Sequence, residues 1–124
     1  MSAPEQLLAL HLRAQKLEAE PEYRFGAIAA GGPGKGLRER LKASGLRDWR
    51  FDFAIPAHKL AVEVEGGGWT GGRHTRGTGF AEDMKKYDAA MRLGWTIYRC
   101  DPAMVKSGRA IETIKLIIEM RAAA

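Results

Sequence analysis

Two short stretches, Trp49 to Ile55 (WRFDFAI) and Leu60 to Glu65 (LAVEVE), alternate apolar and polar residues around the connector Pro56-Ala57-His58-Lys59, the pattern of a β-hairpin. Pairing Ile55 with Leu60 sets every other partner: Phe53 faces Val62, Asp52 faces Glu63 and Arg50 faces Glu65. Two carboxylates directly opposed destabilise a sheet, so the pair calls for a counter-charge, and a bound divalent cation is the simplest one. Glu65 lies two residues along the same face, about 6.5 Å from Glu63 by strand rise. Asp52 and Glu63 as metal ligands, with Glu65 beside them, make an oxygen-rich site of the kind Mg²⁺ or Mn²⁺ prefers. A solvated polar face with Arg50 and Glu65 as an ordinary cross-strand pair also fits the alternation, but it leaves the opposition of Asp52 and Glu63 without a reason.

The next segment, residues 66–79 (GGGWTGGRHTRGTG), holds seven glycines and is expected as a long mobile loop. Its Arg73 and Arg76 suit contacts to a phosphate backbone, and His74 titrates near neutrality, which suits proton transfer. Trp69 in this loop either anchors it on the core or stacks on a base.

These residues must be positioned by a small scaffold. The 124 residues allow one domain, 1–124, and the net charge of +5 with a pI of about 9.6 points toward polyanionic partners. Residues 35–50 carry six basic and two acidic side chains, so Lys35, Arg38 and Arg50 fall in a stretch that holds most of the surplus. The single cysteine, Cys100, excludes an intramolecular disulfide and a cysteine-based zinc cluster, and fits a reducing cytoplasmic setting. No apolar run approaches a membrane span, and the N-terminus lacks the pattern of a signal peptide.

Propensity and punctuation predict a helix over 4–19, with Leu8 and Leu12 on the face of Glu5, and a strand over 22–28. Residues 28–48, opening with a glycine-rich run, read as a flexible basic loop. After the hairpin and the glycine loop comes a helix over 80–93 with Phe80, Met84, Tyr87 and Met91 as its apolar stripe, ended by Gly94. A strand over 95–100 and an amphipathic helix over 102–121, begun by Pro102, complete the chain. Trp49 and Trp95 are expected in strand cores. The fold class is α/β, in the order α-β-β-β-α-β-α.

The string WRFDFAIPAHKLAVEVEGG, followed by a helix and then GWTIYRC, resembles the PD-(D/E)XK nuclease superfamily, in particular small members related to very-short-patch repair endonucleases and archaeal-type Holliday junction resolvases. The resemblance covers about residues 5–105. It implies a restriction-endonuclease-like α-β-β-β-α-β core with a mixed sheet flanked by helices. It also implies Mg²⁺-dependent hydrolysis of DNA phosphodiesters, on branched or duplex DNA, in recombination, repair or bacteriophage DNA processing. Asp52 then matches the first-strand aspartate and Glu63 the first acidic residue of the (D/E)XK element, both as metal ligands. Glu65 stands where the family has its lysine. Lys85 or Lys86 on the following helix is the natural replacement, with His74 or Glu65 itself as alternatives. Glu5 resembles the acidic residue of the first helix; Glu22 competes for that role, and the Ser2-Ala3-Pro4-Glu5 string also fits a capping box that would occupy Glu5 locally. By resemblance to junction resolvases a homodimer is expected, since one small domain offers little surface for a branched substrate. The missing lysine also fits a module that keeps the fold and binds nucleic acid without cleaving it.

Overall fold

The computed structural model describes residues 1–66 and 78–123. The first helix, α1 (Ala3–Ala14), is started by a capping box: the Glu5 N–H donates to Ser2 Oγ at 3.3 Å, and Glu5 Oε1 accepts from the Ser2 N–H at 3.2 Å. It buries Leu8 and Leu12, as their spacing predicts, but stops at Ala14, short of residue 19.

The expected strand over 22–28 divides differently. Strand β1 is Glu20–Tyr23, and Phe25–Ala29 forms a short helix, α2, because the Phe25 ring docks on Phe51 with centroids 4.1 Å apart. The expected loop over 28–48 contains a helix, α3 (Leu37–Ser44), bounded by Gly36 and Gly45 in left-handed conformation. The glycine-rich run ahead of it is wrapped around Arg40, whose guanidinium donates to the carbonyls of Ala30, Gly32 and Lys35. One side chain thus satisfies three loop carbonyls and replaces the ladder the glycines cannot make.

Strands β2 (Phe51–Ile55) and β3 (Leu60–Val64) form the hairpin with Ile55 opposite Leu60 and Phe53 opposite Val62, the register the sequence implies, and a 3₁₀ turn (Pro56–His58) connects them. Helix α4 (Thr78–Arg92) then crosses to β4 (Thr96–Cys100), which pairs parallel with β3. The chain ends in two helices, α5 (Pro102–Lys106) and α6 (Arg109–Ala123), where the sequence implied one. Gly108, at φ 84°, takes the left-handed conformation that separates them.

The sheet is mixed, in the order β1-β2-β3-β4, with the first three strands antiparallel and the last parallel. Helices cover both faces, so both faces are apolar. Phe53, Ile55, Leu60 and Val62 pack with residues of α1, α5 and α6, while Phe51, Ala54 and Ala61 pack with Phe25, Ala90 and Trp95. The alternation that would place Phe51 beside Phe53 therefore fails at Asp52. There the strand N–H donates to the Glu63 carboxylate instead of to a backbone carbonyl. Trp49, expected in the core, is half-buried at the edge of the second cluster.

Helix α4 presents an unexpected face. Phe80, Met84 and Met91 are 58 %, 46 % and 60 % exposed. The side turned to the protein carries Glu82, Lys86, Ala89, Ala90 and Leu93, at the same helical period but rotated around the axis. A cation, rather than the most apolar stripe, is directed at the sheet.

Candidate metal centre

Two registers converge on Asp52. On one side Pro21 pairs with Phe53 and Tyr23 with Phe51, which sets Glu22 across from Asp52. On the other side Phe53 pairs with Val62, and the next residues along are Asp52 and Glu63. Glu22 is thus set beside Asp52 on the neighbouring strand, the Glu63 carboxylate reaches the Asp52 N–H from β3, and α1 brings Glu5 to the same end of the sheet. One carboxylate oxygen from each of Glu5, Glu22 and Asp52 lies within 4.8 Å of the others. Glu22 reaches this place in a left-handed conformation, φ 48°, which a non-glycine residue adopts at an energetic cost.

Asp52 is half-buried. Its Oδ2 accepts the Val64 N–H at 2.7 Å, a contact that closes the hairpin end where the regular ladder stops. Burial pushes its carboxyl up to about 6, the Val64 hydrogen bond opposes the rise, and the charges of Glu63 and Glu5 add to it. The protein therefore holds this carboxylate partly against its preference for water. A bound cation would reverse that preference.

Glu63 is 5 % exposed and its two oxygens are both engaged. Oε2 accepts the Asp52 N–H at 3.0 Å, and Oε1 meets the Lys86 ammonium in a buried ion pair, with the Tyr87 hydroxyl donating at a longer 3.4 Å. Lys86 also lies over the rings of Phe51 and Tyr87, at 5.9 and 5.5 Å from their centroids. Burial and the Glu63 charge push the Tyr87 phenol above its usual range. Tyr87 remains a neutral hydrogen-bond donor.

The sequence-derived candidates sort themselves by position. Asp52, Glu63, Lys86 and Glu5 come together, and Glu22, a competitor for the role of Glu5, joins it instead of displacing it. The carboxylates that converge with Asp52 are Glu5 and Glu22, whereas Glu63, expected to share a metal with it, bonds its backbone and pairs with Lys86. The capping box and the acidic cluster are compatible, since Glu5 contributes to both. Glu65 departs from the group: its Oε1 accepts from Arg99 Nε at 2.8 Å, and both side chains are about half exposed. Arg50, expected opposite Glu65, is exposed, and Arg99 takes its place. Lys85, one residue from Lys86, points elsewhere and pairs with Glu82 at 3.4 Å. Lys35 and Arg38 are exposed around the start of α3. Arg73, His74, Arg76 and Trp69, with the mobile loop expected there, lie outside the described residues.

The donor set fits a hard divalent cation. Three carboxylates, one of them half-buried with a raised pKa, are the ligands Mg²⁺ or Mn²⁺ takes, and no soft ligand stands among them. Cys100, on β4 two strands from Asp52, is buried with its Sγ 3.7 Å from the Glu63 carbonyl oxygen, and burial pushes its thiol up to about 11. It is a packing residue. No described helix is long and apolar enough to cross a membrane. Comparison of the chain with family models, with characterised proteins and with solved structures gives no significant match.

Proposed function

We propose that the protein is a metal-dependent DNA endonuclease with a restriction-endonuclease-like core, hydrolysing phosphodiester bonds in branched or duplex DNA. The observation that carries this reading is the cluster of Glu5, Glu22 and Asp52, with Glu63 bonded to the Asp52 N–H and paired with Lys86. A lysine held against the acidic residue of β3 supplies, from α4, the positive charge that the family places two residues further along the strand. Glu65 need not do that work.

Asp52, Glu5 and Glu22 would hold Mg²⁺ or Mn²⁺, with Glu63 next to them. The cation, when bound, supplies charge neutralisation at the scissile phosphate and lowers the pKa of water. Lys86 holds its ammonium at the acidic centre, where it stabilises negative charge developing on a phosphoryl oxygen. Tyr87 and the Phe51 ring keep that ammonium in place. Lys35, Arg38, Arg50 and Lys85 give the exposed cations for phosphate contacts, and make affinity fall steeply with salt.

A second copy belongs to this reading for a branched substrate, and sedimentation of the protein with and without a four-way junction tests it. The catalytic reading is tested by incubating the protein with linear duplex, flap and four-way-junction DNA in Mg²⁺, Mn²⁺ or EDTA. Cleavage confined to the metal-containing samples supports it. Binding of DNA without cleavage in any metal would instead favour the nucleic-acid-binding module.

A further inference from the structure

Along one flank of α4 a cleft of about 670 Å³ runs between this helix and the segment joining α3 to β2. Its walls carry three cations, Arg47, Lys85 and Arg92, and one carboxylate, Asp88, around the half-buried Trp49. One wall is thus the end of the basic stretch 35–50, folded and not loose. The volume lies within the range of small-molecule sites.

The Trp49 platform is rigidly built. Arg24 holds Asp48 through two hydrogen bonds, of 3.1 and 2.7 Å. The Gly26 N–H reaches the Trp49 carbonyl oxygen at 3.4 Å, and a Cβ at Gly26 would fall on the Arg47 carbonyl oxygen. Phe25 stacks on Trp49 at 6.1 Å, and Trp49 also lines the cleft. Three consecutive residues, 47 to 49, are therefore fixed on α2 before any ligand arrives.

The cations are held loosely by comparison. Arg47 and Lys85 share one carboxylate, Glu82, at 3.1 and 3.4 Å, and Arg92 has an exposed pair with Asp88 at 3.1 Å. Exposed pairs of this kind contribute little and exchange readily for phosphate. Two cations on one carboxylate leave positive charge to spare.

An aromatic platform with surrounding cations matches one ligand chemistry: a base with phosphates on either side. We infer that this cleft takes a single unpaired nucleotide of the DNA, its base on Trp49 and its neighbouring phosphates on Arg47, Lys85 and Arg92. The inference rests on the nuclease reading and narrows its substrate to DNA with unpaired or extruded nucleotides. Trp49 lies three residues before Asp52, on the segment that leads into β2, so the chain links the cleft directly to the strand that carries this carboxylate.

The test measures binding of fluorescent duplexes in EDTA, one fully paired and one with a single-nucleotide bulge, to the wild type, Trp49→Leu and Arg92→Gln. The wild type should favour the bulge by at least about five-fold, with Trp49→Leu removing that preference and Arg92→Gln weakening both complexes. Because Trp49 also packs on Phe25, the indole N–H resonances of the wild type titrated with oligothymidylate give a reading that needs no variant: Trp49 should shift and Trp95 should not. A protein that cleaves DNA but shows neither the preference nor the Trp49 shift overturns the cleft alone. Preference for the bulge without cleavage in any metal keeps the cleft and removes the nuclease reading. Absence of all DNA binding overturns both, and a Trp49 shift on concentrating the protein without DNA assigns the cleft to a second copy instead.

Discussion

The Lys86 ammonium of α4 is paired with Glu63 Oε1 of β3 in a site where the two side chains are 16 % and 7 % exposed. Such a pair is costly to break from one side, because the remaining charge stays buried without a partner. Lys86→Met and Glu63→Gln should each lower stability by about 3–5 kcal/mol, and the double replacement should be less damaging than the two single losses combined. Chemical denaturation of the three variants checks this. Equal, small effects would mean that water already solvates the pair.

Asp52 carries the pH dependence. Its folded pKa, about 6, lies above the ordinary 3.8, so between these values the folded state binds more protons than the unfolded one and stability falls as pH rises through this window. A divalent cation needs the ionised carboxylate, so its affinity should rise over the same interval. Thermal melts in EDTA should thus show Asp52→Asn more stable than the wild type above pH 6 and indistinguishable from it near pH 4. Adding Mg²⁺ should raise the wild-type Tm at pH 7.5 much more than at pH 5, and leave Asp52→Asn unmoved.

Ser2 and Glu5 couple the first helix to the acidic centre. Ser2→Ala removes the acceptor for the Glu5 N–H and should cost about 1 kcal/mol. It also frees the Glu5 carboxylate from the Ser2 hydroxyl, which donates to it at 2.7 Å. Calorimetric titration with Mn²⁺ should then show weaker binding, since Glu5 is no longer held in position beside Asp52.

Arg40 organises the glycine-rich run ahead of α3. Arg40→Ala strips the carbonyls of Ala30, Gly32 and Lys35 of their common donor. Hydrogen exchange should accelerate through residues 30–37 while the strands keep their protection. Uniform acceleration across the sheet would contradict this local role.

What the sequence made legible follows from where the information is local. The hairpin register could be read because a one-residue slip would move Phe53, Ile55, Leu60 and Val62 off their shared face. The ladder ends one pair short of Asp52 and Glu63, which meet through the Asp52 N–H and the Glu63 carboxylate. Periodicity points away from Lys86, since by it α4 should bury Phe80, Met84 and Met91; the helix turns Lys86 inward because Glu63 is buried there. Glu22 was harder to place, because β1 begins two residues before the expected strand and the left-handed backbone at Glu22 has no signature in its side chain. The order within residues 28–48 was hidden for a related reason: glycines signal a break in regular structure, but the side chain that binds their carbonyls is four residues beyond the last of them, at Arg40. Trp49 and Phe51 belong to the α2 face because the strand changes its bonding at Asp52, whose N–H turns to the Glu63 carboxylate.

The proposed hydrolysis of DNA with a divalent metal rests on Asp52 and Lys86 together. Single-turnover cleavage of one DNA substrate by the wild type, Asp52→Asn and Lys86→Met, compared at matched folded fractions, decides whether it does. The wild type should cleave in Mg²⁺ or Mn²⁺ and not in EDTA, and each variant should be slower by at least about 100-fold. Cleavage that persists in EDTA, or variants that cut as fast as the wild type, would contradict it.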